Sequence, residues 1–177
     1  MHTTATSTRR RNTLRLSSFD YSQAGAYFVT VCTHRQECIF GNIRNGVMQL
    51  NELGGLVAQE WQQSTAPYPS MALDAWVVMP NHLHGIVIVE ECATQPQAMW
   101  RLAAKRGRRN MALPKWIGRF KMLSAKHVNR VRNTPGKPLW QRNYWEHVVR
   151  NDSDMARIRE YIHNNPARWE LDRLFVP

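Results

Sequence analysis

Residues 73–91 read LDAWVVMPNHLHGIVIVEE, two strand-like runs separated by a short break. The first run, LDAWVVM at 73–79, is apolar, β-branched and aromatic, and HLHGIVIVEE at 82–91 has the same character. Pro80 and Asn81 interrupt the pattern between them. Because the break is so short, the two runs predict an antiparallel hairpin.

The second run begins with His82-Leu83-His84. Side chains at positions i and i+2 of a strand project to the same face, so both imidazoles should point one way and Leu83 the other. Two neutral imidazoles side by side can bind a metal ion. The spacing alone is also compatible with two polar histidines at the start of a strand.

Around this hairpin the chain alternates between strand and helix patterns. Strands are expected at 26–36 and 47–51, and a long strand or extended edge segment at 139–149. Helices are expected from Glu52, over 115–131 and over 155–165. The first has an apolar face formed by Leu53, Leu56, Val57 and Trp61, and the second has one formed by Ile117, Phe120, Ser124 and Val128. This order indicates an α+β fold with helices on one face of an antiparallel sheet.

The chain is strongly basic, with a formal net charge of +11 and a pI of about 10.3. Such a charge indicates a polyanionic partner, most commonly nucleic acid. Residues 1–20 form a basic arm before a single domain at 21–177. Basic residues also crowd the loop before the second helix and one stripe of that helix. A stripe of this kind is usually only a solvated face, but together these groups favour phosphate binding: Arg9, Arg10, Arg11, Arg101, Lys105, Arg106, Arg108, Arg109, Lys115, Arg119, Lys126 and Arg130.

Several classes of protein are disfavoured. No stretch approaches the roughly 20 apolar residues of a membrane span, and the first residues lack the apolar core of a secretory signal. Three cysteines without a CxxC spacing do not form a disulfide scaffold. A zinc site from Cys32, His34 and Cys38 is a weak alternative. We therefore expect a cytoplasmic, nucleoid-associated protein.

The last predicted helix contains Tyr161 and Asn165, four residues apart. Residues at i and i+4 lie on one face of a helix, so a hydroxyl and an amide oxygen could address one point. Alternatively, Tyr161 continues the apolar stripe of Met155, Ile158 and Ile162 and is a core aromatic.

The segment VVMPNHLHGIV at 77–87, followed downstream by EYIHNNP at 160–166, resembles the single-tyrosine HUH transposases, and in particular the REP-associated tyrosine transposases. Other blocks match the family in the same order, including RRRNTLRLSSFDYSQAGAYFVTVCTHR at 9–35, FGNIRNGVMQLNELG at 40–54 and LWQRNYWEHVVRN at 139–151. The resemblance covers nearly everything from Arg9 to Arg168. His-x-His alone is unspecific, whereas the ordered set of blocks is highly specific.

This resemblance implies a ferredoxin-like, palm-type antiparallel sheet with helices packed on it. It implies that His82 and His84 ligate Mg²⁺ or Mn²⁺, that Tyr161 is the nucleophile and that Asn165 is the third ligand. Pro166 could displace Asn165 from helical geometry, and Asn164 would then take its place. The implied activity is metal-dependent cleavage and rejoining of single-stranded DNA at hairpin-forming repetitive palindromes through a 5′-phosphotyrosine, by a monomer or homodimer.

Other interpretations stay open. The chain could be a palindrome-binding module that no longer cuts DNA, or a metal-dependent nuclease that processes RNA or initiates replication. Tyr144 is a less favoured nucleophile. Trp100, Trp116 and Tyr68 are candidates for stacking on unpaired bases, and each could equally be a core residue.

Overall fold

The computed structural model describes residues 24–90 and 112–177. Its main feature is an antiparallel sheet of four strands in the order β4-β5-β1-β6. A separate two-stranded sheet pairs β2 with β3. The strands are β1 (Gly25–Cys32), β2 (Gly41–Arg44), β3 (Val47–Leu50), β4 (Met71–Met79), β5 (His82–Val89) and β6 (Trp145–Val149). The fold class expected from the sequence, an α+β antiparallel sheet packed with helices, is confirmed.

The predicted hairpin is formed by β4 and β5, with Met79 opposite His82 across the Pro80-Asn81 turn. On the face of β5 opposite to His84, Gly85 is required by close packing. A Cβ atom on Gly85 would lie only 2.4 Å from the Trp61 ring. The histidine strand can therefore approach the core only because this residue has no side chain.

Three helices complete the described fold: α1 (Glu52–Gln63), α2 (Ala112–Val131) and α3 (Asp152–Asn164). The side chain of Asn51 caps α1 by accepting a hydrogen bond from the Gly54 N–H at 3.0 Å, and Asn151 caps α3 in the same way. In the described residues, no helix has the length and apolarity that a membrane crossing needs.

Helices α1 and α2 pack on one face of the sheet and form the larger core. Trp61 of α1 makes edge-on contacts with Trp116 and Phe120 of α2, with ring centroids 4.9 and 5.0 Å apart. The predicted inward stripe of α2 is buried along its length. Since apolar contacts of this kind are the main source of folding free energy, this face provides most of the stability.

Helix α3 packs on the opposite face, so the expectation that all helices share one face is wrong. Ile158 and Ile162 of α3 form a smaller cluster with Ile86 of β5, flanked by Phe28 of β1. The physical reason lies in the central strands, which present apolar side chains in both directions. Both faces therefore need cover.

The expected long strand at 139–149 is shorter, because β6 starts only at Trp145. Before it, Trp140 turns into the core and donates its indole N–H to the Ser124 hydroxyl at 2.9 Å. The Lys121 ammonium also donates to the carbonyls of Gln141 and Arg142. These side-chain contacts hold residues 139–144 away from a regular ladder.

Candidate active site

The two histidines of β5 lie side by side on the face that α3 covers. Their ring centroids are 4.3 Å apart, and both side chains are almost fully buried. Leu83 between them points into the larger core. The i, i+2 spacing thus produces the arrangement that the sequence predicts, a pair of imidazoles on one face.

Hydrogen bonds fix the orientation of the His82 ring. The buried Asn81 amide donates to the carbonyls of Gln36 and Leu174, at 3.3 and 2.7 Å. Its oxygen is therefore left to accept the Nδ1–H of His82 at 2.8 Å. The Nε2 atom of His82 then carries a lone pair, and it has no hydrogen-bond partner in the described structure.

His84 is held in a similar way. Its Nδ1 lies 2.7 Å from the Thr30 hydroxyl on the neighbouring strand. Burial lowers the pKa of both imidazoles, and the nearby Asp172 carboxylate opposes this shift only in part. Both rings are therefore neutral near pH 7, which is the state that binds a metal ion.

Tyr161 of α3 faces the histidine pair. Its hydroxyl lies 3.2 Å from the Nε2 atom of His84, and 43% of the residue is exposed. Its ring meets Phe28 edge-on. The alternative that Tyr161 is a core aromatic does not fit, because Ile158 and Ile162 fill the apolar face while the tyrosine hydroxyl stays at the site.

Asn165 also turns into this site. Its backbone keeps helical angles (φ −58°, ψ −43°) although Pro166 follows, so the proline does not displace it as the sequence suggested it could. The side chain is buried, and its Nδ2 donates to Asp172 at 2.7 Å. Its Oδ1 has no hydrogen-bond partner within the described residues. Asn164, the alternative ligand, is only half-buried and is not part of this network.

Asp172 is a site residue that the sequence analysis missed. Its Oδ2 accepts hydrogen bonds from Tyr161 at 3.2 Å and Asn165 at 2.7 Å, and it lies 4.0 Å from the His84 Nε2. Its Oδ1 accepts from the Leu174 N–H. In the sequence, Asp172 lies beyond the end of the predicted helix. The feature that could have pointed to it is that it follows the predicted ligand Asn165 by fewer than ten residues. Residues 166–171 form a short 3-10 helix directly after α3, and Asp172 at its end is thereby brought to the site.

The carboxylate has a direct electrostatic effect on the tyrosine. Burial, followed by the negative charge of Asp172, raises the pKa of Tyr161 to about 12. Hydrogen bonds from its neighbours hold the pKa of Asp172 well below its ordinary value, against the effect of burial. At pH 7 the site therefore holds a neutral phenol beside an ionised carboxylate. A positive charge is required to favour the tyrosinate.

The donor set fits a divalent cation. His82, His84 and Asp172 offer ligand atoms that lie within 4.8 Å of one another. The free lone pair on the His82 Nε2 and the unpartnered Oδ1 of Asn165 are buried polar atoms without a hydrogen bond in the described structure. Buried atoms of this kind are costly unless a ligand satisfies them. Imidazole nitrogens with carboxylate and amide oxygens form a mixed set that divalent metals accept.

The predicted basic residues are divided between described and undescribed parts of the chain. The basic stripe of α2 consists of Lys115, Arg119, Lys126 and Arg130. All four side chains are exposed, and within residues 24–90 and 112–177 none of them forms an ion pair. The stripe lies on the helix that packs against the sheet face opposite to the histidines. The remaining predicted basic residues lie outside the described ranges: Arg9, Arg10, Arg11, Arg101, Lys105, Arg106, Arg108 and Arg109.

The weaker sequence candidates do not gather at the site. Within the described ranges, the group of side chains placed closely enough to share a metal ion is His82, His84 and Asp172. Cys32 and His34 do not belong to such a group in this part of the chain, so the zinc alternative is not supported. Trp116 is fully buried, and both Tyr68 and Tyr144 pack against the larger core. Trp100 lies outside the described residues.

The chain is similar over most of its length to several known proteins. No protein-family model matches the chain. An uncharacterized protein of Haemophilus influenzae is 37% identical over 171 residues, covering 94% of this chain and 93% of that protein. A second H. influenzae protein, provisionally named a REP-associated tyrosine transposase, is 24% identical over 84% of this chain and 74% of its own length. The Escherichia coli REP-associated tyrosine transposase is 27% identical over 54% of this chain and 44% of its own.

A solved structure shares the fold. The REP-associated tyrosine transposase bound to a REP hairpin aligns with a TM-score of 0.52 at 21% identity, over 90% of this chain and 76% of that one. The relatives that carry a family name are REP-associated tyrosine transposases, and their similarity supports the family resemblance found in the sequence.

Proposed function

We propose that this protein cleaves and rejoins single-stranded DNA at hairpin-forming palindromes, with Tyr161 as the nucleophile and a divalent cation as cofactor. The observation that carries the proposal is the position of the Tyr161 hydroxyl, 3.2 Å from the Nε2 atom of His84. That hydroxyl is the partly exposed nucleophilic group of a site whose other polar atoms are buried. It is therefore the group best placed to meet a phosphate from solvent.

The reaction follows from the residue types. The Tyr161 oxygen attacks the phosphorus as its phenolic proton is lost, and the bond from phosphorus to the 3′ oxygen breaks as that oxygen takes up a proton. A 5′-phosphotyrosine and a free 3′-hydroxyl result. The new ester keeps the energy of the phosphodiester, so a second 3′-hydroxyl can reverse the step without ATP. Water competes with that hydroxyl, and the burial of His82, His84 and Asn165 limits its access.

Each site residue has a distinct part in this proposal. His82, His84 and the Oδ1 of Asn165 would hold Mg²⁺ or Mn²⁺, with Asp172 as a further ligand. Such an ion would neutralise charge on the phosphate and on the departing 3′ oxygen. Asn81 and Thr30 orient the two imidazoles through their Nδ1 atoms. Asp172 accepts the hydrogen bond of the Tyr161 hydroxyl and so directs its oxygen into the site.

The proposed substrate rests on charge and on relatedness. The net charge of +11 and the exposed α2 stripe supply binding energy for phosphates. A related protein of the same fold is described as bound to a REP hairpin. We therefore infer that the DNA is a palindromic hairpin with unpaired flanks, and that the protein acts at the nucleoid. It would work as a monomer or homodimer.

A covalent-trapping assay tests the proposal. Hairpin oligonucleotides with single-stranded flanks, labelled downstream of the cut, are incubated with Mn²⁺ and run on a denaturing gel. Wild type should give a protein–DNA adduct, and Tyr161→Phe should reduce it by at least about 10³-fold. Tyr144→Phe is the matched control and should leave the adduct unchanged. An adduct that survives Tyr161→Phe would contradict the assignment.

The assay also separates the other two interpretations. A salt-sensitive shift on a native gel without any adduct would identify a palindrome-binding module that does not cut. Competition by an RNA oligonucleotide of the same sequence, at equal concentration, would show whether the 2′-hydroxyl is tolerated. Equal cleavage of RNA would favour a nuclease of the RNA-processing class.

A further inference from the structure

Trp145 at the start of β6 is unusual because its large apolar side chain is 54% exposed. The other tryptophans of residues 24–90 and 112–177 are buried or half-buried. β6 forms the edge of the sheet, so no further strand of the described sheet covers this ring. An exposed aromatic at a sheet edge normally favours aggregation, and its presence therefore indicates a use.

The strand register places this ring on the face of the active site. Trp145 is directly opposite Thr30 of β1, and Thr30 is directly opposite His84 of β5. Residues paired in this way project to the same face of a sheet. Two strand spacings separate Trp145 from His84, which is roughly 10 Å. Thr30 between them is the residue that holds the His84 ring.

Exposed arginines flank the strand that carries Trp145. Arg142 and Arg150 are exposed on either side of β6, and neither side chain has an ion pair within the described residues. The segment before the strand is anchored, because the Lys121 ammonium donates to the carbonyls of Gln141 and Arg142 at 2.5 and 3.0 Å. An exposed aromatic ring on a strand flanked by two exposed arginines suits an unpaired base whose neighbouring phosphates need neutralising.

We propose that Trp145 is a stacking platform for an unpaired base of the DNA strand, beside the phosphate that Tyr161 attacks. The inference rests on the proposed function, and it adds a subsite on the edge strand that fixes how the strand enters. An indole accepts any base on its π-face, so this contact gives affinity and position with little sequence preference. Arg142 and Arg150 would contact phosphates of the same DNA strand.

The test measures binding of oligonucleotides in which each unpaired nucleotide in turn is replaced by an abasic one. All proteins carry Tyr161→Phe, so that no cleavage interferes. Trp145→Ala should weaken binding of the intact oligonucleotide by roughly 5- to 150-fold, the range for one stacked base. Trp145→Phe should retain most of the affinity. Met122→Ala, an exposed apolar residue on α2, is the control and should change nothing.

The abasic series locates the contact. For one abasic position near the cut, the proteins with Trp145 and with Trp145→Ala should bind the oligonucleotide with affinities within about twofold of each other. The reason is that the base that would stack on Trp145 is already missing. Equal loss on every oligonucleotide, including a fully paired hairpin, would overturn the inference and assign Trp145 to the fold. Unchanged affinity in Trp145→Ala would overturn it as well. If no variant with Trp145 binds single-stranded DNA at all, the proposed function itself fails.

Discussion

The two faces of the four-stranded sheet use the same strands for opposite purposes. On one face, Leu83 and Val87 of β5 lie in a core of aliphatic and aromatic side chains. On the other, His82 and His84 of the same strand are equally buried but keep polar atoms at a shared site. Burial does not distinguish stability from function here. The distinction is that the site face gathers buried imidazole and carboxylate groups whose ligand atoms lie close enough to share a metal ion.

This difference predicts opposite outcomes for neighbouring residues. A substitution on the core face should reduce the free energy of unfolding and affect catalysis only through the fold. A substitution on the site face should remove activity and leave the unfolding free energy almost unchanged, since the polar side chains there add little apolar packing. The pair His82 and Leu83 allows this to be tested across a single peptide bond.

The largest effect is expected for His82→Ala. Loss of a metal ligand should slow adduct formation by about 10³-fold, equivalent to about 4 kcal/mol of activation free energy. Mn²⁺ should raise the Tm of wild type and not that of the variant, because a cation that binds the folded state stabilises it. The measurement is the adduct rate together with thermal unfolding with and without Mn²⁺. Full cleavage by His82→Ala would contradict the metal site.

Leu83→Ala should show the reverse behaviour. Leu83 is fully buried, and removing such a side chain typically lowers the free energy of unfolding by about 2–5 kcal/mol. Urea unfolding measures the loss. The adduct rate per folded molecule, at a temperature where both proteins are folded, should stay near that of wild type. A large loss of rate in a folded Leu83→Ala protein would mean that the two faces are coupled.

Asp172→Asn tests the residue that the tertiary structure adds to the site. The change keeps the size of the side chain and removes its negative charge, so the affinity for Mn²⁺ should fall by about 10- to 100-fold. The readout is the Mn²⁺ concentration needed for half of the increase in Tm. Glu170→Gln, an exposed acid two residues earlier, is the matched control. Equal metal affinity in Asp172→Asn would limit its role to holding Tyr161 and Asn165.

A pair of glycines tests the packing beneath the histidine strand. Gly85→Ala would bring a Cβ to 2.4 Å from the Trp61 ring and should destabilise the fold by about 1–3 kcal/mol. Gly55→Ala on α1 meets nothing within 4 Å and should stabilise the helix by about 0.5–1 kcal/mol. Urea unfolding compares the two. A neutral Gly85→Ala would show that Trp61 can move away.

The smallest effect concerns pH at the start of α3, the helix that carries Tyr161. Hydrogen bonds from His147 and Arg157 hold the pKa of Asp154 below its ordinary value. A carboxyl group whose pKa is lower in the folded than in the unfolded chain stabilises the fold at pH values above its unfolded-state pKa of about 3.9. This stabilisation is lost as the pH falls below that value. Asp154→Asn should therefore lower Tm slightly at pH 7, and the difference should shrink below about pH 4. Asp152→Asn, in the same helical turn, is the control.

Much of this fold follows from local patterns. The β4–β5 hairpin, the asparagine cap of α3 and the inward stripe of α2 are set by residues close together in sequence. The common direction of His82 and His84 follows from the strand period, and the shared face of Tyr161 and Asn165 from the helix period. Their assignment to a tyrosine transposase came from the ordered blocks of family resemblance.

Other features depend on contacts between distant residues, which no local period encodes. Asp172 reaches the histidines because the 3-10 helix that follows α3 ends beside them. Asn165 stays helical before Pro166, with its amide bonded to Asp172. Trp140 makes an isolated bridge to Thr33 and donates its indole N–H to Ser124. The sequence by itself therefore determined the strand and helix that carry the proposed site residues, since both depend on spacing. The tertiary structure decided which carboxylate joins them and that α3 covers the second face, since both depend on long-range packing.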